Sequence, residues 1–359
     1  MSTASEVKRL YTKAKARKVL VILSVFVVLL IAIVISVSLG TGSPRFMEAM
    51  QVIFSKLFPF LEIDPGPKKN QTIILLVRLP RVVLAIIAGT GLAASGATMQ
   101  GVLRNPLVSP FTLGISAAAG FGAALAIALG IGIFIPYEGY KVANAFIFSM
   151  LAVLAVYGIA RLRGITPETV ILAGIAINFF FSGMLSLVQY IAPEHEAVRA
   201  VVSWLLGARL IDANWESVLI MLPIVLVTIV LMMRYSWDMN VMGLGEEVAT
   251  SLGVNSRRVL VICMALGALA TAIIISFTGI IGFIGLVSPH IARMIIGSDH
   301  RFLLPCSIVL GACLLLCSDT LARLVLFAHS EVPVGIVTSL IGFPFFLYVL
   351  LSRRRQFWH

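Results

Sequence analysis

The chain has 359 residues, 60% hydrophobic and only 12% charged, with a mean hydropathy of +1.05 and a formal net charge of +11. Apolar stretches of about 18 residues or more recur along its length, which excludes a water-soluble domain and points to membrane-spanning helices. Runs such as VLVILSVFVVLLIAIVISVSL (19–39) are apolar on every face, which excludes a β-barrel, and the basic residues punctuate such runs instead of forming one patch, which excludes a nucleic-acid partner.

Residues 1–18 carry Lys8, Arg9, Lys13, Lys15, Arg17 and Lys18, a basic flank expected to stay cytoplasmic. The apolar run after it is too long for a signal-peptide core and reads as an uncleaved first span, 19–39. The second span, 82–103, contains AGTGLAASGATMQG (88–101). There Gly89, Gly91, Gly96 and Gly101 lie among Ala and Ser, a small face over which backbones approach closely. RNPLVSP (104–110) breaks the chain, with Ser109 as an N-cap and Pro110 as the first residue of a third span, 110–132. Spans four to six are expected at 142–160, 169–191 and 216–233.

A polar interruption, 234–258, then contains LGEEVATSLGV (244–254). Gly245 precedes a short helix whose first turn holds Glu246 and Glu247, where carboxylates favour the helix dipole, and Gly253 can close it. Val248, Ala249 and Leu252 supply an apolar ridge. Such a helix is shaped to lie in a groove of another protein, and its two carboxylates suit an anionic lipid surface poorly.

From Val259 to Ala292 no side chain is charged if His290 is neutral, a stretch too long for one upright helix and short for two. Phe277-Thr278-Gly279 offers a break. Two segments, the second short, make ten spans with 303–323 and 334–352, and place Arg353, Arg354 and Arg355 of the tail (353–359) in the cytoplasm. The expected fold is therefore an all-α polytopic membrane protein: one transmembrane domain over 19–352, ten helices, and a short cytoplasmic helix between spans six and seven.

Few side chains within the spans suggest chemistry. Arg78, Arg81 and Arg323 stand at span ends, where snorkelling to headgroups explains them as readily as function does, and Asp319 is placed to pair with Arg323 four residues on. His290 in SPHIAR reads as structural, and Cys263, Cys306, Cys313 and Cys317 as packed thiols rather than metal ligands. No carboxylate relay crosses the spans and no G-x-x-x-x-G-K-[ST] loop is present, so energy is expected from a partner that hydrolyses nucleotide. An ion-coupled secondary transporter is the alternative; a membrane enzyme or a channel would leave the acidic loop helix unexplained.

Several blocks resemble the FecCD-type permeases of ATP-binding-cassette importers, which carry iron-siderophores, haem and cobalamin. They are VRLPRVVLAIIAGTGLAASGATMQGVLRNPLVSPFTLGIS (77–116), LGEEVATSLGV, GIIGFIGLVSPHIARMIIGSDHRFLLP (279–305), SDTLARLVL, and EVPVGIVTSLIGFPFFLYVLL (331–351). The resemblance implies an inner-membrane permease homodimer with its pathway lined by spans five and ten, two ATPase subunits that hold ATP and Mg, and an extracytoplasmic substrate-binding protein. It implies no catalytic residue, metal or cofactor on this chain. By resemblance, Glu246, Glu247, Val248, Ala249, Leu252 and Gly253 sit against the ATPase, and Arg78, Arg81 and Arg323 receive carboxylates of the binding protein. The cobalamin importer of this family has small hydroxyl residues at its cytoplasmic gate before span five, where this chain departs with Thr166, Pro167 and Glu168; Pro167 and Glu168 also read as ordinary first-turn helix residues.

Overall fold

The computed structural model describes residues 4–40, 44–61, 63–132, 139–327 and 330–351. The tail, 353–359, lies outside them, with Arg353, Arg354 and Arg355. One continuous helix, α1 (Ala4–Ser38), carries both the basic flank and the first apolar run. α2 (Phe46–Leu57) and α3 (Lys68–Thr72) follow, and a π-helical segment, Ile73–Arg78, joins α3 to α4 (Leu79–Val102). The second span thus begins well before residue 82. Pro80 has no N–H and its ring crowds the preceding turn, so the widened turn, in which Leu79 N–H donates to the Ile74 carbonyl, accommodates it without a break.

The chain does break after α4. Ser109 has the extended backbone of an N-cap, but its side chain makes no capping bond, and Pro110–Leu113 is a 3-10 turn. The third apolar helix, α5 (Ile115–Leu129), starts only after Gly114, whose φ of +77° disfavours any other residue. Then come α6 (Tyr140–Arg163), α7 (Pro167–Ile191), α8 (His195–Leu205), α9 (Trp215–Arg234), α10 (Ser236–Met242), α11 (Glu246–Ser251) and α12 (Ser256–Thr278). As expected, α12 ends at Thr278, with Gly279 at φ +76°, and a second helix, α13 (Ile284–Ile296), follows. α14 (His300–Leu324), a two-rung antiparallel ladder of β1 (Leu326–Phe327) and β2 (Ser330–Glu331), and α15 (Val334–Leu351) complete the described chain.

Among the described residues seven helices are long and apolar enough to cross a membrane, and three shorter apolar helices, at 115–129, 284–296 and 334–348, occupy the other expected segments. At 1.5 Å per residue α13 is about 20 Å long, short of a bilayer core of about 30 Å. The amphipathic helices α2 and α8, 12 and 11 residues long, have no counterpart in the span reading, because each is too short to cross a bilayer and carries a polar face.

α12 is the most enclosed of the long helices and α1 the least. The closest packing is between α4 and α14. They run antiparallel and cross at Gly89 and Gly311, where a Cβ on either glycine would overlap the other's carbonyl oxygen. Gly96 meets the Gly285 carbonyl of α13 in the same way. The small face of 88–101 therefore does bring backbones together, and it does so against two helices. All four cysteines are free thiols, two of them buried, and His290 lies within α13, edge-on to Phe345.

Candidate functional site

At one end of the α4/α14 pair the three arginines converge. Arg78, Arg81 and Arg323 are 6%, 5% and 5% exposed, so none extends to the surface in the manner of a snorkelling side chain. Asp319, fully buried one turn before Arg323, lies between two of them: Arg81 Nε donates to Oδ1 at 2.9 Å, and Arg323 Nε approaches Oδ2 at 3.1 Å. The i, i+4 pairing of Asp319 with Arg323 was legible in the sequence. Glu331, on β2, was not: its Oε2 accepts from Arg81 Nη1 at 2.6 Å.

The other arginine hydrogen bonds tie the last turn of α1 into this cluster. Arg323 Nη1 donates to the Ser36 carbonyl at 3.1 Å and its Nη2 to the Ser36 hydroxyl, while Thr320 donates to the same hydroxyl at 2.9 Å. Arg78 Nη1 donates to the carbonyls of Val37 and Ser38, each at 3.1 Å, and of Pro44. The Val37 and Ser38 carbonyls belong to the end of α1, where a helix has no intrahelical donor for them. Arg78 thus acts as a C-terminal cap for α1 as well as a candidate docking residue.

The opposite end of the pair carries the polar interruption. α11 starts at Gly245, whose φ of +111° admits few other residues, and keeps Glu246 and Glu247 in its first turn. It closes in a Schellman arrangement: Val254 N–H donates to the Ala249 carbonyl at 2.9 Å, Gly253 N–H to the Thr250 carbonyl at 3.0 Å, and Gly253 has φ +80°. The expected ridge is divided. Ala249 is fully buried against the bundle, whereas Val248 is 42% and Leu252 60% exposed and face outward.

Thr166, Pro167 and Glu168 form the start of α7. Thr166 caps it, accepting from Thr169 N–H at 3.3 Å while the Thr169 hydroxyl accepts from Thr166 N–H at 3.1 Å, and Pro167 occupies the first helical position. Pro167 and Glu168 occupy the first-turn positions anticipated for them; the cap at Thr166 was not anticipated. Pro167, Glu168 and Ile171 also line an open cleft of about 470 Å³ across from the 103–106 turn.

One cluster near α11 went unnoticed in the sequence. Asn240 of α10 contacts Asp299 and His300 at the start of α14, where Asp299 caps the helix by accepting from Arg301 N–H at 3.1 Å. Partial burial pushes the Asp299 pKa up, but hydrogen bonds from Arg301 and Asn240 and the Arg301 charge outweigh it and hold the carboxyl down at about 2. The available signal was Ser-Asp-His before an apolar run, an N-cap pattern.

The sequence profile of the FecCD transport family matches residues 28–352. The chain is 40% identical over 288 residues to the cobalamin import system permease protein of Halobacterium salinarum, covering 80% of this chain and 75% of that one. It is also 40% identical over 289 residues to the hemin transport system permease protein of Yersinia pestis, covering 79% and 84%. A solved structure of a proposed metal-chelate type ABC transporter in an inward-facing conformation superposes with a TM-score of 0.79 at 30% identity, over 92% of this chain and 99% of that one. This chain belongs to the FecCD transport family and is a multi-pass membrane permease of the metal-chelate ABC importer type.

Proposed function

We propose that two copies of this chain form the translocation pathway of an ATP-driven importer in the plasma membrane, with ten spans per copy and both termini cytoplasmic. Two ATPase subunits bind ATP and Mg on the cytoplasmic side, and an external substrate-binding protein delivers the cargo. The cargo is a metal chelate, an iron-siderophore first, with cobalamin and haem next, following the range of the family. Helices α7 and α15 line the path, consistent with Phe179, Phe180, Leu340 and Phe343, which are exposed in the single chain.

The observation that carries this reading is the outward face of α11. Val248 and Leu252 lie uncovered beside two carboxylates on a helix whose other side is anchored by Ala249. A short apolar ridge with charged flanks fits a groove on a partner subunit. Closure of the ATPases on ATP displaces α11 and tilts the helices attached to it, which exchanges outward for inward access; Thr166, Pro167 and Glu168 stand where the inner gate would act. At the arginine end, carboxylates of the binding protein engage Arg78, Arg81 and Arg323. The ATPase-driven reading accounts for α11, which an ion-coupled carrier leaves idle.

Reversing both acids, Glu246→Lys with Glu247→Lys, tests it in membranes that contain the full complex. Loss of ATPase co-purification, or hydrolysis without uptake, is expected. Wild-type uptake in the double variant would return α11 to an ordinary loop helix.

A further inference from the structure

α10 meets the first turn of α14 through one side chain that makes three contacts. Asn240 Oδ1 accepts from His300 N–H at 2.8 Å and lies 2.9 Å from His300 Nδ1, and Asn240 Nδ2 donates to Asp299 Oδ1 at 2.7 Å. With Nδ1 donating, the imidazole proton is on Nδ1. The ring is buried, and its Nε2 has no hydrogen-bond partner among the described residues. It points at Gly101 near the end of α4, where a Cβ would stand 2.5 Å from Nε2 and 3.2 Å from the sulfur of Met239. A second contact braces the first: the Arg301 guanidinium lies 5.5 Å from the Trp237 ring centroid. α10, α14 and α4 thus meet at a single node.

The node has stiff connections in two directions. α10 continues into α11 through a tight turn in which Gly243, Leu244 and Gly245 donate to the carbonyls of Met239, Val241 and Met242. From the node, α14 and α4 run together past the Gly89 and Gly311 crossing to Arg81, Asp319 and Arg323. Glu331, three residues before α15, is bonded to the same Arg81. Movement of the 244–254 segment therefore has a continuous packed route through α10 to the arginine end, and Asn240 is where that route enters α14.

We propose that Asn240 is a positioning residue that transmits displacement of α11 into the α4/α14 pair, so that hydrolysis drives transport only while Asn240 holds Asp299 and His300. This rests on the reading of α11 as the ATPase contact. In the assembled transporter, reconstituted in proteoliposomes with its ATPase and binding protein, N240D sets a carboxylate against Asp299. The ATPase rate is expected to stay within about twofold while transport per ATP falls at least about fivefold. Adding D299N supplies an amide donor to the new carboxylate and keeps an N-cap oxygen, so the double variant is expected to recover most of the loss. N240A, which adds no charge, is expected to uncouple in the same way.

Unchanged transport per ATP in N240D and N240A overturns the inference. So does a proportional loss of hydrolysis and transport that D299N fails to restore, since that is the signature of a merely structural contact. Leu252→Cys, cross-linked to the ATPase, separates this from the premise: cross-linking with unaltered coupling in the Asn240 variants overturns the inference alone, and absence of any cross-link removes the premise and the inference with it.

Discussion

Arg81 and Asp319 are 238 residues apart in sequence, and their side chains meet at 2.9 Å inside the protein. Asp319 has no exposed surface and contacts two guanidinium groups, so its carboxylate is the shared counter-ion of α4 and α14. Removing one partner from a buried ion pair leaves an uncompensated charge and costs about 3–5 kcal/mol. Asp319→Ala is therefore expected to lower stability by about that amount, read as the midpoint of chemical unfolding in detergent. A loss below about 1 kcal/mol would mean that Glu331 and the Ser36 acceptors carry the arginines without it.

Glu331 occupies one of the groups that a docking carboxylate would use. It is bonded to Arg81 at 2.6 Å with its side chain 29% exposed, whereas Arg81 is nearly enclosed. A binding protein that engages Arg81 must displace it. Glu331→Gln keeps the shape and removes the competing charge, so docking is expected to tighten by about tenfold, roughly 1.4 kcal/mol, at low salt, with the difference shrinking as salt screens both carboxylates. A titration with the purified binding protein measures this. Weaker docking in Glu331→Gln would show that Glu331 holds Arg81 in its docking geometry instead of blocking it.

The glycines separate close approach from mere helix composition. A methyl group at Gly96 would collide with the Gly285 carbonyl, a backbone atom that yields only if α4 and α13 move apart. Gly96→Ala is expected to cost about 1–3 kcal/mol, as overpacking does. Gly158 in α6 has open space where its Cβ would be, and Gly158→Ala is expected to be neutral or to gain up to about 1 kcal/mol from helix propensity. Thermal unfolding of the two variants side by side checks the contrast.

Most of the helical framework was legible because a bilayer enforces long apolar runs, and such runs are visible without any contact information. The break at Thr278 and Gly279, the closing role of Gly253 and the pairing of Asp319 with Arg323 were legible too, since each depends on residues within a few positions of one another. Illegible were the contacts that join distant segments: Glu331 with Arg81, Arg78 with the end of α1, and Asn240 with His300. Each partner is an ordinary polar residue locally, and only the packing of α4 and α14 against each other and of α1 and α10 against them places the partners together. The split of the α11 ridge, with Ala249 inward and Val248 and Leu252 outward, likewise depended on which side of a six-residue helix meets the bundle.

That split yields opposed expectations for neighbouring residues. Burying a Val or Leu side chain at an interface contributes about 1.5–3 kcal/mol, so replacing Val248 and Leu252 by Ser is expected to weaken ATPase association by about tenfold or more while leaving the permease as stable as wild type. Ala249 has no room to grow. Ala249→Leu is expected to lift α11 from α10 and α12, destabilising the permease alone and, through that, weakening assembly. Co-purification of the ATPase, measured alongside the unfolding midpoint of the isolated permease, distinguishes the two. If the serine variants lost permease stability and kept the ATPase, the outward face of α11 would be packing against lipid or against its own chain, and the contact surface for the ATPase would have to be sought elsewhere.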